Sequence, residues 1–259
     1  MTRTEQVEYL IRILLDEMPQ YKDQSNRFGG AAQRRRLLRS LMNIRPPMPL
    51  NPAFLAVQDA LLQSERQERG IVDVSSLPET KTPGILLWRG DITRLAADGI
   101  VNAANSAMLG CFSPCHDCID NAIHSAAGLQ LRDACNRLMQ QQGHAEPTGS
   151  AKITAAYNLS AKYVLHTVGP IVRNTPTAED RRLLAACYRS CLEKALHQGL
   201  QSLAFCCIST GVFRFPNREA AEIAVETVCE MLYKINGGIR VIYNVFKDTD
   251  EQIYRELLC

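Results

Sequence analysis

The chain has 259 residues, 46% of them hydrophobic, with 29 Lys+Arg against 27 Asp+Glu. That apolar content excludes a wholly disordered chain, and a net charge of +2 creates no field that requires a nucleic acid or a membrane surface as partner. Charged residues recur through the first twenty positions, and the long uncharged runs are broken by Asn, Gln, Ser and Gly. Neither a signal-peptide core nor a membrane-spanning helix is expected. Ten unevenly spaced cysteines favour a reducing, cytoplasmic setting over a disulfide framework, with metal ligation to be considered where they cluster. The length fits one main domain with an appendage, and a monomer is expected.

In chain order, Val7, Leu10, Ile11, Leu14 and Leu15 recur at helical spacing and predict an amphipathic helix ending before Pro19. A second helix is expected over 31–42, stopped by Pro46, Pro47 and Pro49, and a third over 52–69 with Phe54, Val57, Leu61 and Leu62 on one face. Arg34, Arg35, Arg36 and Arg39 read as a solvated helix face or as ion-pair partners of the main domain, with a phosphate patch as the alternative. The polar, Pro-containing stretch 75–83 sets a boundary between a helical N-terminal extension (1–83) and the rest (84–259). Beyond it, short apolar runs predict strands at 85–88, 99–103, 151–155, 163–168, 202–208 and 240–245. Helices are expected between them at 119–141, 178–198 and 216–235, with a last one at 249–258. Thr177 with Asp180 reads as a capping box, and Pro216 as a first helical turn. This alternation predicts a layered α/β unit with a largely parallel sheet, in which ligands bind beyond the carboxyl ends of the strands.

Four strand-end segments carry candidate chemistry. Gly90-Asp91-Ile92-Thr93 reads by itself as an Asx-type turn, or as a carboxylate placed to accept from an exocyclic amine. Asn102 and Asn105 flank small alanines, and either cap local turns or serve ribose hydroxyls. The sequence Cys111-Phe112-Ser113-Pro114-Cys115-His116-Asp117-Cys118 brings three thiols and an imidazole into eight residues, a donor set suited to zinc. Because adjacent residues in a short loop do not easily reach one ion, Cys111, His116 and Cys118 are the expected ligands, leaving a position open as in catalytic sites. The segment Ser209-Thr210-Gly211-Val212-Phe213 precedes a helix and suits a cradle of backbone N–H groups for phosphate. It lacks the Lys-Ser/Thr of a nucleotide triphosphate loop.

Taken in order, Gly90-Asp91-Ile92-Thr93, Val101-Asn102-Ala103-Ala104-Asn105, the stretch from Asp120 to Gly128, His166-Thr167-Val168-Gly169-Pro170 and Ser209-Thr210-Gly211-Val212-Phe213 resemble the macrodomain family of ADP-ribose binders and hydrolases. The family's usual glycine-rich stretch is replaced here by the Cys/His loop. This departure, like the N-terminal run Leu37–Pro47, looks like the zinc-containing microbial branch, whose members remove mono-ADP-ribose from proteins.

The resemblance implies a three-layer α/β/α macrodomain with a mixed, largely parallel six-stranded sheet and an N-terminal helical extension. It implies adenine contacts from Asp91 and the Ile92 backbone, and diphosphate contacts from Ser209, Thr210, Gly211, Val212 and Phe213. Asn102 and Asn105 would lie near the distal ribose. Phe246 either stacks on adenine or belongs to the core, Asp120 either reaches the distal ribose or caps a helix, and His124 reads as a packed helix residue. His144 and His166 show no partner pattern. The expected function is zinc-dependent removal of mono-ADP-ribose from protein side chains, with Asn102 and Asp120 as catalytic residues and Zn2+ as cofactor. A non-catalytic ADP-ribose reader with a structural zinc and an O-acetyl-ADP-ribose deacetylase are the alternatives.

Overall fold

The computed structural model describes residues 1–25 and 29–259. Helices α1 (Arg3–Glu17), α2 (Lys22–Ser25), α3 (Ala31–Ile44) and α4 (Pro52–Arg69) open the chain. Helix α1 starts in a capping box between Thr2 and Glu5, and the Asn51 side chain accepts from the Ala53 N–H ahead of Pro52 at the start of α4. Apolar stripes at helical spacing bury Leu10, Ile11, Leu14, Leu38, Leu41, Phe54 and Leu61 in a core of their own, to which Leu129 adds a side chain from below. Two of the four arginines of the run, Arg34 and Arg35, are ion-paired, and with carboxylates of these helices, not with the main domain as expected. Arg34 bonds Glu8 and Arg35 bonds Glu65 (2.6 and 2.7 Å), while Arg39 reaches out to Asn121 (2.7 Å).

The remainder builds β1 (Val72–Asp73), β2 (Ile85–Arg89), β3 (Leu95–Ala96), β4 (Gly99–Ala104), α5 (Ile119–Ala127), α6 (Leu129–Gln142), β5 (Ala151–Ala155), β6 (Tyr163–Val168), α7 (Ala178–His197), β7 (Ser202–Phe205), α8 (Asn217–Lys234), β8 (Arg240–Val245) and α9 (Asp248–Leu258). The large sheet has the order β2-β8-β7-β4-β6-β5, parallel throughout except for the β5–β6 pair. Helices α7, α8 and α9 pack together along one face and α5 and α6 along the other, with α3 and α4 on the outside of α5. The architecture is a three-layer α/β/α fold preceded by helices. A two-stranded parallel pairing of β1 with β3, and a bridge from Glu79 to Leu86, were not expected from the sequence.

Three element expectations need correction. The single helix over 119–141 is two helices, broken where Gly128 adopts φ +94°, and a Cβ there would lie 2.6 Å from Gln58 Nε2. The strand expected over 202–208 ends at Phe205. Cys206 and Cys207 are apolar enough for a strand, but the chain leaves the sheet there and turns through Ser209, whose φ is +65°. Pro216 is the residue before α8 and not its first turn, and the capping box of Thr177 and Asp180 is present.

The sheet opens where it matters. Strand β4 pairs with β6 along its whole length, from Gly99 to Ala104, yet it pairs with β7 only at Gly99 and Ile100. Beyond that point β4 and β7 diverge. The chain leaves β4 toward β5 and β6 on one side, then crosses back through α7 to β7 on the other. A crevice at the carboxyl ends of strands follows from this reversal.

Candidate active site

The crevice is a cleft of about 510 Å³, lined by Ala103 to Asn105 from the end of β4, the Cys/His loop, Asp120, the segment Cys206 to Phe213, and Asn244, Phe246, Lys247 and Asp250. Its size matches that of small-molecule sites. It therefore gathers Asn105, Cys111, His116, Cys118, Asp120, Ser209, Thr210, Gly211, Val212, Phe213 and Phe246. Asn102, Asp91 and Ile92 do not line it.

Asp120 sits at the floor. It lies in the first turn of α5, where Cys118 is the capping residue, its Sγ accepting the Asn121 N–H at 3.4 Å, so Asp120 is not the helix cap. Its carboxylate accepts from Asn102 Nδ2 (2.8 Å) and Asn105 Nδ2 (3.3 Å). Burial pushes its pKa up to about 6, against the pull of those amide hydrogen bonds and of Arg132. Asn102 is fully enclosed behind it and also donates to His166 Nδ1 (3.2 Å). His166 Nε2 in turn meets Thr154 Oγ1 at 2.9 Å. With Nδ1 accepting, Nε2 carries the proton and donates to Thr154. Burial lowers the His166 pKa to about 3, so the ring is neutral. His166 thus has a role that no local sequence pattern announced, because its partners come from neighbouring strands. His124 is buried on α5, as a packed helix residue should be. His144, exposed, approaches only its own turn at Gln142 and Ala145.

One wall is the segment from Ser209 to Phe215. It closes on itself through Phe215 N–H to Ser209 O (2.9 Å) and Arg214 N–H to Gly211 O (3.1 Å), and is tied to Val172, whose N–H donates to Phe213 O (2.8 Å). Among the described residues, the N–H groups of Gly211, Val212 and Phe213 donate to no protein acceptor. Three successive free amides in a turn form a concavity for an anion.

The opposite wall is the Cys/His loop. The donor atoms of Cys111, His116 and Cys118 all lie within 4.8 Å of one another, and Cys111 Sγ is 3.6 Å from His116 Nδ1. The N-to-S edge of a tetrahedral zinc site is about 3.6 Å from standard bond lengths, so this donor set fits such an ion. Cys115 stands apart, with φ +50° and Sγ directed at Ser40 Oγ (3.2 Å) and Arg36 O (3.5 Å). A second group, His124, Cys135 and His166, is also close enough for a metal. Both ring nitrogens of His166 are engaged there by Asn102 and Thr154.

Phe246 is 70% exposed at the rim, which removes it from the core and leaves its ring face available. Asp91 lies outside the cleft, its Oδ1 accepting from the Thr93 N–H and hydroxyl (3.0 and 2.7 Å) and its Oδ2 3.3 Å from Arg69. It begins the turn at Ile92–Arg94, with the Ile92 side chain in the core. Gly90 N–H donates to Val245 O (3.0 Å), so this turn runs beside the start of the Phe246 segment. The sequence reading missed Asn244, whose amide fastens β8 to Gly90 O (2.9 Å). An Asn within the otherwise apolar strand Val241 to Val245 was the available signal.

A family model described as Macro domain matches residues 101–224. Over 261 aligned residues the chain is 50% identical to a protein-ADP-ribose hydrolase of Treponema medium, covering all of both chains. This chain belongs to the macrodomain family. The macrodomain is also 52% identical over 221 residues to a protein-ADP-ribose hydrolase of Staphylococcus aureus (strain MRSA252), covering 85% of this chain and 83% of that one. Among solved structures it is similar to the Trypanosoma brucei macrodomain in complex with ADP-ribose, with TM-score 0.66 and 30% identity over 84% of this chain and 94% of that one. It is likewise similar to the Oceanobacillus iheyensis macrodomain with ADP, with TM-score 0.63 and 37% identity over 70% of this chain and 94% of that one.

Proposed function

We propose that this macrodomain is a zinc-dependent hydrolase that removes mono-ADP-ribose from modified protein side chains. The observation that carries the reading is the joint placement, in one cleft, of three free amides in the 211–213 turn, the carboxylate of Asp120 and the Cys111–His116–Cys118 donor set. An anion cradle at one wall and a metal-type donor set at the other suit a ligand with a diphosphate in its middle and its reacting sugar at one end. The relatives named protein-ADP-ribose hydrolase support the same reading.

In this proposal the amides of Gly211, Val212 and Phe213 hold the diphosphate, with Ser209 and Thr210 shaping the turn, and the exposed Phe246 ring stacks on the adenine. Asp91 and the Ile92 backbone meet the adenine edge from the β2 end. Asn105 and Asp120 face the distal ribose, and Asn102 orients Asp120 from behind. Zinc on Cys111, His116 and Cys118 supplies Lewis-acid chemistry at this end of the cleft when bound. Water adds at the anomeric carbon, the bond to the acceptor side chain breaks, and the proton passes to the departing acceptor. Positive charge that develops on the sugar lies next to Asp120, whose carboxylate stabilises it. None of the ten cysteines is joined in a disulfide, which supports action in a reducing compartment such as the cytoplasm.

The test is release of ADP-ribose from a mono-ADP-ribosylated protein by zinc-loaded and chelator-stripped enzyme. Release that is lost on stripping and restored by zinc is expected. Equal release from both preparations would overturn the zinc dependence, and tight ADP-ribose binding with no release from either would overturn the hydrolase.

A further inference from the structure

The Cys/His loop is irregular from Cys111 to Cys118, and among the described residues much of what fixes its shape comes from helix α3. Asn43, 2% exposed in the last turn of α3, accepts the Cys115 N–H through Oδ1 at 2.9 Å and donates to Ser125 Oγ at 3.0 Å. That amide belongs to the residue immediately before His116. Arg39, one helical turn earlier, donates to Asn121 Oδ1 at 2.7 Å. This orients the Asn121 amide so that Nδ2 donates to Ser113 O at 3.0 Å, while the Asn121 N–H reaches Cys118 Sγ. The Cys115 side chain lies against Ser40 and Arg36 of the same helix. Behind the loop, Arg132 donates to Leu109 O (2.7 Å) and to the carbonyls of Met42 and Arg45 (2.9 and 2.5 Å), and its guanidinium lies over the Phe112 ring at 4.5 Å. The middle of the loop is therefore fastened to α3 directly and its Cys118 end through Asn121, while its Cys111 end is held by Arg132 of α6, which also bonds the carbonyls at the end of α3.

We propose that α3 is a brace for the metal loop, and that Arg39 and Asn43 are positioning residues for the ligands His116 and Cys118. The inference rests on the reading of Cys111, His116 and Cys118 as the zinc ligands. A short loop without secondary structure loses conformational freedom when three of its side chains are fixed around an ion. A helix that holds the loop in the ligating shape beforehand removes part of that cost. The N-terminal helices then act on the active site without touching substrate.

The experiment uses the full chain and the variants Arg39→Ala and Asn43→Ala, with Arg12→Ala, on the exposed side of α1, as control. Zinc affinity is measured by competition with a chromophoric chelator, and the loop geometry by the thiolate-to-metal absorption of the cobalt(II) form. ADP-ribose binding to stripped protein is measured by calorimetry. Groups that orient metal ligands are worth roughly 10- to 100-fold in affinity. Both variants are expected to lose zinc affinity on that scale and to shift the cobalt spectrum, with ADP-ribose binding and the control unchanged. Zinc affinity and spectra equal to wild type in both folded variants would overturn the brace. Wild-type protein that fails to take up one equivalent of zinc would overturn the metal reading instead. In that event amide exchange across residues 111–118 still decides the brace, since it rises in both variants only if α3 holds the loop.

Discussion

Asn102 Nδ2 donates to Asp120 Oδ1 at 2.8 Å and, with its other hydrogen, to His166 Nδ1 at 3.2 Å. One amide thus links the carboxylate at the cleft floor to a neutral histidine on the next strand. Asn102→Ala leaves Asp120 with Asn105 as its remaining amide donor and frees its rotamer. Loss of one preorganised group of this kind costs about 100-fold in turnover. We expect kcat for ADP-ribose release to fall on that scale while ADP-ribose affinity, measured by calorimetry, changes far less. Equal losses in both would mean that Asn102 supports the whole cleft and not the carboxylate alone.

The three-ligand assignment separates two neighbouring thiols. Cys118→Ser is expected to abolish stoichiometric zinc binding and turnover, whereas Cys115→Ser keeps its contact to the Arg36 carbonyl and retains zinc. Metal content after desalting, set beside initial rates, distinguishes them. Loss of zinc in both variants would mean that four side chains close the site.

Gly169 follows β6, where that strand passes the 209–213 turn. A Cβ on it would stand 2.0 Å from Ser209 Oγ and 2.9 Å from Ile208 Cγ2, so the Ser209 hydroxyl must rotate away and the Ile208 side chain must shift. Gly169→Ala is expected to weaken ADP-ribose binding at least ~10-fold and to destabilise the fold by about 1–3 kcal/mol through overpacking. A titration and a urea melt of the same variant check both, and unchanged affinity would show that the turn yields freely.

Two enclosed histidines make stability depend on pH. Burial lowers the pKa of His166 to about 3, and burial, with His166 and Arg132 nearby, lowers that of His124 well below its usual value. Unfolded, each titrates near ~6.5. Both are neutral in the fold and take up a proton on unfolding in acid, so their contribution is complete above that value and is lost as pH falls. From pH 7 to 5 His166 alone costs about 2 kcal/mol, and His124 adds to the loss in the same direction. Asp120, with its pKa raised to about 6, is stabilised by acid and offsets roughly two thirds of the His166 share. The net expectation is a fold weaker at pH 5 than at pH 7, read from urea midpoints at the two values. A flat profile would mean that one of the histidines is already charged in the native state.

What could be read from the sequence was whatever depends on near neighbours. Strand and helix positions followed from local periodicity, and the spacing of Cys111, His116 and Cys118 reflected a loop whose donors do converge. The failures share a cause. The apolar pattern continues past Gly128, so the break there depends on φ and on Gln58 from another helix. Cys206 and Cys207 fit a strand by composition, and only the divergence of β7 from β4 turns them into cleft residues. His166 gained its meaning from the register that places it opposite Asn102, and Asn43 from a contact spanning 72 positions. Such relations are set by how layers stack, and no window along the chain contains them. Asp91 is intermediate: its turn was legible, but its partner Arg69 lies on a helix of the N-terminal group.

The order of strands also fixes when in its own synthesis the protein can begin to work. Strand β2, the first made of the large sheet, joins it through β8, the last, and Asn244, Phe246, Lys247 and Asp250 of the cleft lie at or beyond β8. A nascent chain that has released its N-terminal helices, its Cys/His loop and its 209–213 turn still has no closed cleft, and an edge of β7 is unpaired. A cleft with all its walls therefore waits for β8. A chain stopped short of that strand would keep Asn102, Asp120 and the Cys/His loop but lack the wall that Asn244, Phe246, Lys247 and Asp250 complete.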